Sequence, residues 1–269
     1  MTDTNGAATA VEASGQEPVT DPDVFARLDG ATLETIVDAL GALVAECRLE
    51  FDEQGLSVAA TDPAVVASVT VDVEADAFET YRATEGTFGL DVERFGTIVG
   101  LADRDQPVTL AVDAGTRRLY VSIGELQYTM GLLDPETIRS PPDAANMRFE
   151  YAGGVVVEGA TIDRSVAATD LVADHLTIGL DGETLYVTAD GDVDSVALSL
   201  SGDELVDVSS GAAESLYSLD YLGDMSRAIP ADAAVDVQLG TETPISLAFE
   251  IADGDGSVEY VLSPRIARN

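Results

Sequence analysis

The residues spaced most like a chemical site are Asp190-Gly191-Asp192-Val193-Asp194, three carboxylates at alternate positions. A calcium-binding loop begins this way, but it also needs a glycine for its sharp turn and a glutamate to close the ion's shell. Ser195 and Ser201 stand at those two places. Asp253-Gly254-Asp255-Gly256 fails the same test, and both stretches lie between strand-like segments, so both are expected to be hairpin turns. His175 is the only imidazole and Cys47 the only thiol, which excludes a Cys/His zinc cluster. His175 is expected near a helix end, as a C-terminal cap or a packed side chain. All thirteen basic residues are arginine, so there is no lysine for a phosphate-binding loop or a Schiff base. No G-x-S-x-G elbow occurs, and with fifty Asp and Glu residues the nearness of two carboxylates singles out no acid/base pair. The balance is against an enzyme, a metal or a cofactor. The rival is a halophilic enzyme of duplicated α+β domains in which His175 and nearby carboxylates are catalytic.

The elements that would carry these residues come in two sets. Asp29-Gly30-Ala31-Thr32-Leu33 is echoed by Glu158-Gly159-Ala160-Thr161-Ile162, an offset of 129 (159 − 30). Phe88-Gly89-Leu90-Asp91 is echoed by Tyr217-Ser218-Leu219-Asp220, and Leu133-Asp134-Pro135 by Leu262-Ser263-Pro264, at the same offset. Matches separated along the chain at one spacing indicate two copies of one unit. In the first copy Leu33, Ile36, Val37, Leu40, Leu43, Val44 and Cys47 recur at helical spacing, with Thr32 as the expected N-cap. A shorter helix is expected after Asp91, with Val92, Phe95, Val99 and Ala102 inward. The second copy's helices should start near Thr161 and Asp220. Alternating stretches such as PVTLAVD, RRLYVSI, LYVTAD, VALSLS, AVDVQL and ISLAFEIA predict half-buried antiparallel strands joined by turns such as Asp181-Gly182. The fold class expected is α+β, with two repeated domains whose helices cover one face of antiparallel sheets.

Over 269 residues the formal charge is −37 while 46% of residues are apolar, which describes a folded protein under strong self-repulsion. At about 1 M salt the Debye length falls to roughly 3 Å, so a halophilic cytoplasm is the setting this charge implies. The alternative is an acidic surface that repels nucleic acid at ordinary salt. No apolar run approaches the roughly 20 residues of a membrane span. Residues 1–22 lack the basic start and apolar core of a secretory signal and are expected to be a disordered acidic arm.

Leu132–Asp143, the SLDYLGDM segment (Ser218–Met225) and the ending LSPRI (Leu262–Ile266) together resemble the sliding clamps of archaea and eukaryotes, the PCNA family. Ala59–Ala64, Glu46-Cys47 and Ile251–Asp253 are supporting landmarks, and the resemblance covers roughly residues 24–267. It implies clamp domains at 23–133 and 147–269, joined by a connecting loop at 134–146. It further implies a homotrimeric ring around duplex DNA, helices lining the hole, closed edge to edge by strands near Ile123–Met130 and Val193–Leu200 of a neighbour. The expected partners are DNA polymerase, an ATP-driven clamp loader, flap endonuclease and DNA ligase, engaged through short client peptides. An acidic scaffold without DNA loading is a further alternative.

The arginines expected to face DNA are Arg48, Arg94, Arg164 and Arg227, although Glu34 stands where the family has a usual lysine and Asp38 adds a second acid. The partner groove is expected from Thr61, Asp62, Val65 and Ser68, from Ile138 and Pro141 of the connector, and from Pro244, Val261, Leu262, Ser263 and Pro264. Ile138 is the foremost of these. Pro135, Pro141 and Pro142 hold the connector extended, and Arg139 replaces a family glycine there.

Overall fold

A computed structural model describes residues 21–139, 141 and 149–265. In chain order the first half contains β1 (Val24–Asp29), α1 (Gly30–Gly41), β2 (Glu46–Phe51), β3 (Gly55–Thr61), β4 (Ala67–Glu74), β5 (Thr80–Ala83), β6 (Gly86–Asp91), α2 (Val92–Val99), β7 (Pro107–Asp113), β8 (Arg118–Ile123) and β9 (Leu126–Gly131). The second half repeats this order as β10 (Gly153–Glu158), α3 (Gly159–Thr169), β11 (His175–Gly182), β12 (Thr184–Asp190), β13 (Ser195–Leu200), β14 (Asp207–Ser209), β15 (Gly211–Ser218), α4 (Leu219–Ala228), β16 (Ala234–Leu239), β17 (Ile245–Ile251) and β18 (Gly256–Leu262). All strand pairings are antiparallel. None of the described helices is long and apolar enough to cross a membrane.

The local chemistry moves several predicted boundaries. Helix α1 is capped by Asp29, not Thr32: Asp29 Oδ1 accepts from the Thr32 N–H at 2.9 Å and its Oδ2 accepts from the Thr32 hydroxyl at 2.8 Å. An aspartate one residue before the first helical turn is the stronger cap, and Thr32 already lies inside the helix. The helix stops at Gly41, so Cys47 is not on it. Cys47 alternates with Leu49 and Phe51, all buried, while Arg48 and Glu50 point the other way; a period of two overrides the apparent helical spacing. Asp91 caps α2 through the Arg94 N–H at 2.9 Å, with Val92, Phe95 and Val99 buried and Ala102 packing just beyond the helix. His175 opens β11 and caps nothing, since Asp170 is the C-cap of α3. Asp190 pairs with Ser195 and Ile251 with Gly256, so both acidic stretches are hairpin connections.

Three sheets result. The five-stranded sheet runs β5-β1-β7-β8-β9, and the four-stranded one runs β13-β12-β11-β15. The nine-stranded sheet, β14-β10-β16-β17-β18-β4-β3-β2-β6, is the second copy's five strands joined to the first copy's four. The joint is β18 against β4, from Gly256↔Val73 to Leu262↔Ala67. There Val69, Val71, Val258 and Tyr260 are all fully buried. Helix α1 packs on α2, α3 on α4, and α1 meets α4 across the joint, which places the four helices in one layer.

The duplication is therefore real, but its offset drifts. Asp29 and Glu158 precede α1 and α3 at the expected 129 (158 − 29). Asp91 and Ser218 precede α2 and α4 at 127 (218 − 91), so Tyr217 is the spatial counterpart of Leu90 rather than Phe88. Met130 faces Leu119 as Leu262 faces Ile245, which makes Leu262 the counterpart of Met130 rather than Leu133. Turns of different length absorb the drift: Thr61 pairs with Ser68, but Asp190 pairs with Ser195.

Candidate functional site

The helix layer carries six carboxylates (Glu34, Asp38, Glu93, Asp163, Asp220, Asp224) against three guanidiniums (Arg94, Arg164, Arg227). Arg104, in the loop before β7, lies 3.6 Å from Glu34 and offsets part of that excess. Partial loss of hydration, with the Glu34 charge nearby, pushes the Asp38 carboxyl above its usual range. Between α1, α2 and α4 runs an open groove of about 730 Å³ lined by Val37, Gly41 and Gly96 and by the charged Asp38, Glu93 and Arg227.

The four arginines meet different fates. Arg164 is exposed on α3 and makes no hydrogen bond or ion pair among the described residues. Arg227 is exposed on α4 but ion-paired with Asp224 one turn earlier. Arg94 leans on β9: its Nη2 donates to the Tyr128 hydroxyl at 3.3 Å and its guanidinium lies 6.0 Å from the Tyr128 ring centre. Arg48 is a correction. It sits on β2, on the sheet face away from the helices, and its Nη2 donates to the Ile138 carbonyl at 2.6 Å, so it fastens the connector.

On that outer face the structure brings Thr61, Ser68 and Val261 side by side, in register across β3, β4 and β18, with Ser246 next in line. Pro244, Ser263 and Pro264 are half-buried at the end of this row, and the Ser263 N–H donates to the Val66 carbonyl at 2.9 Å. Val65 is exposed at the tip of the β3–β4 hairpin with φ 58°, a left-handed conformation that is costly for a β-branched residue.

Three expected groove residues do other work. Leu262 faces the core and is 1% exposed, because alternation along β18 turns it away from Val261. Ile138 is 7% exposed, buried against Gly89, so it is the connector's underside rather than a free anchor. A Cβ on Gly89 would lie 2.7 Å from the Leu133 carbonyl oxygen and 2.8 Å from Ile138 Cδ1. Asp62 is buried at 3% and accepts from the N–H groups of Ala64, Val66 and Ala67 and from the Tyr221 hydroxyl at 2.8 Å. Burial alone would raise its pKa, but these bonds, those from Ala67 and Tyr221 foremost, outweigh it and hold the carboxyl below its usual range.

The connector leaves β9 beside β6, where the Leu133 N–H donates to the Gly89 carbonyl, and Arg139 Nη1 reaches the Pro63 carbonyl at 3.3 Å. Pro141 is half-buried, while Pro142, Ile266 and residues 1–20 lie outside the described residues. Sequence reasoning missed Gly89, Tyr221 and Tyr260. Tyr260 donates from its hydroxyl to the Ala39 carbonyl at 3.0 Å across the joint. A tyrosine at an inward strand position is the one signal for it, since a buried phenol needs an acceptor.

Comparison with known proteins bears on these surfaces. The family model for the N-terminal domain of proliferating cell nuclear antigen matches residues 25–126. The DNA polymerase sliding clamp of Natronomonas pharaonis is 45% identical over 237 residues, 87% of this chain and 95% of that protein. The clamp of Halobacterium salinarum is 45% identical over 240 residues, covering 88% and 96%. A solved structure of A. fulgidus PCNA with the C-terminal region of FEN-1 bound aligns at a TM-score of 0.86 and 34% identity, covering 91% of this chain and 100% of that one.

Proposed function

The chain belongs to the DNA polymerase sliding clamp family, and from that premise we propose that three copies close head to tail into a ring that encircles duplex DNA and tethers replication and repair proteins to it. The observation that carries this reading is the pair of sheet ends that no described strand covers. Strand β9 ends the five-stranded sheet and β13 ends the four-stranded one, and these are the counterparts of β18 and β4, which join inside the chain. A molecule that makes this joint once internally and carries the counterparts of both its halves at sheet ends can repeat it with further copies, and two different edges meeting head to tail generate a ring when the rotation closes.

A closed ring confines its duplex by topology and needs little free energy from counterion release, the term that high salt suppresses. That suits a helix layer with more acids than arginines. Arg164, free of partners among the described residues, and Arg227 are the residues we place nearest DNA. We set the domains at 23–133 and 147–269 with the connector at 134–146. The row Thr61, Ser68 and Val261, flanked by Pro244, Ser263 and Pro264 and approached by Arg139 of the connector at the Pro63 carbonyl, is our client surface, with polymerase, clamp loader, flap endonuclease and ligase as occupants. The protein works in the cytoplasm on DNA and performs no reaction of its own.

The test is processive synthesis by the cognate polymerase at high KCl. On a primed circle the clamp, once loaded, lengthens the products; on a linear template with free ends it slides off and the gain is lost. Equal stimulation on both templates would overturn the ring.

A further inference from the structure

On a chain of charge −37, one outer surface is basic and aromatic. Alternation along the five-stranded sheet turns Phe25 and Arg27 of β1, Arg82 of β5, Ala111 of β7, and Arg118 and Tyr120 of β8 away from the core. The register lines up Arg82, Phe25, Ala111 and Tyr120 across adjacent strands, and the Arg82 guanidinium lies 5.8 Å from the Phe25 ring centre. The carboxylates of this face are already engaged. Asp29 caps α1, Asp113 sits opposite Arg118 and accepts from the Thr116 N–H at 3.0 Å, and Glu79, beside the sheet, pairs with Arg27 at 2.8 Å. Arg82 and Arg118 are exposed, and neither makes a salt bridge among the described residues. The other outer faces have the opposite sign. That of the nine-stranded sheet carries Arg48 against Glu50, Asp72, Glu250 and Glu259, and residues 175–218, which form the four-stranded sheet, contain no arginine.

We infer that this face is the docking site of the chain's own segment 11–20, VEASGQEPVT, with Glu12 and Glu17 on Arg82 and Arg118. The chain enters β1 at the corner of the face, where the Asp23 N–H donates to the Val112 carbonyl at 2.9 Å and the Thr84 N–H donates to the Asp23 carbonyl at 2.8 Å. Just before it, Asp21 has φ 68°, a left-handed conformation that breaks the line of the strand. Glu17 stands four residues ahead of Asp21 and can reach about 13 Å from it, and Glu12 about 30 Å. Arg82 lies on the strand beside β1 and Arg118 two strands away on the other side, within those spans at about 4.8 Å per strand. Residues 1–20 carry Asp3, Glu12 and Glu17 and no basic residue, so the arginine face attracts them and the acidic faces repel them. Val11, Pro18 and Val19 supply apolar groups to cover the half-buried Phe25 and Tyr120. So short a tether holds the segment at an effective concentration of about millimolar, which lets a contact too weak for a free peptide form within the chain. Guanidinium–carboxylate pairs in direct contact also persist where the Debye length is roughly 3 Å.

The experiment is electron paramagnetic resonance of the full chain at the lowest KCl that keeps it folded, with a thiol-reactive nitroxide on Ser14→Cys. Cys47 is 1% exposed, so the label goes to the introduced thiol. In the otherwise unchanged chain the nitroxide gives a largely immobilised spectrum. Arg82→Glu with Arg118→Glu, both at exposed positions, loses most of the immobilised component, and adding Glu12→Arg and Glu17→Arg restores it. A label as mobile in the starting chain as in the arginine variant would overturn the docking, and so would a label equally immobilised in both or a loss that the charge swap does not rescue. Recovery of the immobilised component on mixing the labelled arginine variant with excess unlabelled wild type would place the segment on a second copy and overturn docking within the chain.

Discussion

Asp62 shows how one carboxylate holds two domains in register. Its oxygens satisfy three N–H groups of its own hairpin and the Tyr221 phenol of the second domain, and the bond to Asp62 in turn pushes the Tyr221 pKa up to about 12. Because the folded pKa of Asp62 lies below its unfolded value, its contribution is fully present above about pH 4 and is lost as pH falls through the folded value. Asp62→Asn should cost about 2 kcal/mol at neutral pH, and denaturant titrations should show the gap between wild type and variant closing as the pH drops below about 4. Cys47 gives a second test at this scale. It is 1% exposed and burial pushes its thiol up to about 12, so a thiol reagent should label it only at the rate of global unfolding. Labelling at the rate of a free thiol would contradict the burial.

At the scale of elements, the connector is held from below. Ile138 fills the space over Gly89, and Arg48 grips the Ile138 carbonyl from β2. Gly89→Ala should destabilise the chain by about 1–3 kcal/mol in thermal or denaturant unfolding, because the added carbon meets a backbone oxygen that cannot move aside cheaply. Arg48→Ala should leave global stability nearly unchanged while speeding proteolysis near residue 138, because it removes a contact at the connector's margin. Much of this level was legible in the sequence. Strands β7 and β16 fall on the predicted PVTLAVD and AVDVQL stretches, because alternation of apolar and polar residues marks a half-buried strand directly. The end of α1 was not legible, since Leu43 and Cys47 continue a helical spacing by coincidence and only the sheet's hydrogen bonds claim Cys47. Nothing in the sequence signals which way Arg48 and Ile138 face, because their contact spans 90 residues of separation.

At the scale of the molecule, charge and topology work together. A chain of charge −37 should gain thermal stability as KCl rises, since screening relieves repulsion and salt strengthens apolar burial at the β4–β18 joint. A melting series in KCl checks this, with a flat or falling profile as the contrary result. Assembly of the proposed ring should follow the same trend, because β9 and β13 carry Leu126, Tyr128, Val196 and Leu198 rather than rows of charge.

By itself the sequence determined that the chain is duplicated, α+β and acidic, with no lysine and a single histidine and cysteine, because periodicity, composition and residue type are local properties. Tertiary structure alone decided which arginines remain free, which carboxylate is structural, and which parts of the repeat truly correspond. Turn lengths shift the register by a few residues, and whether two groups meet depends on strand pairing between positions far apart in the chain.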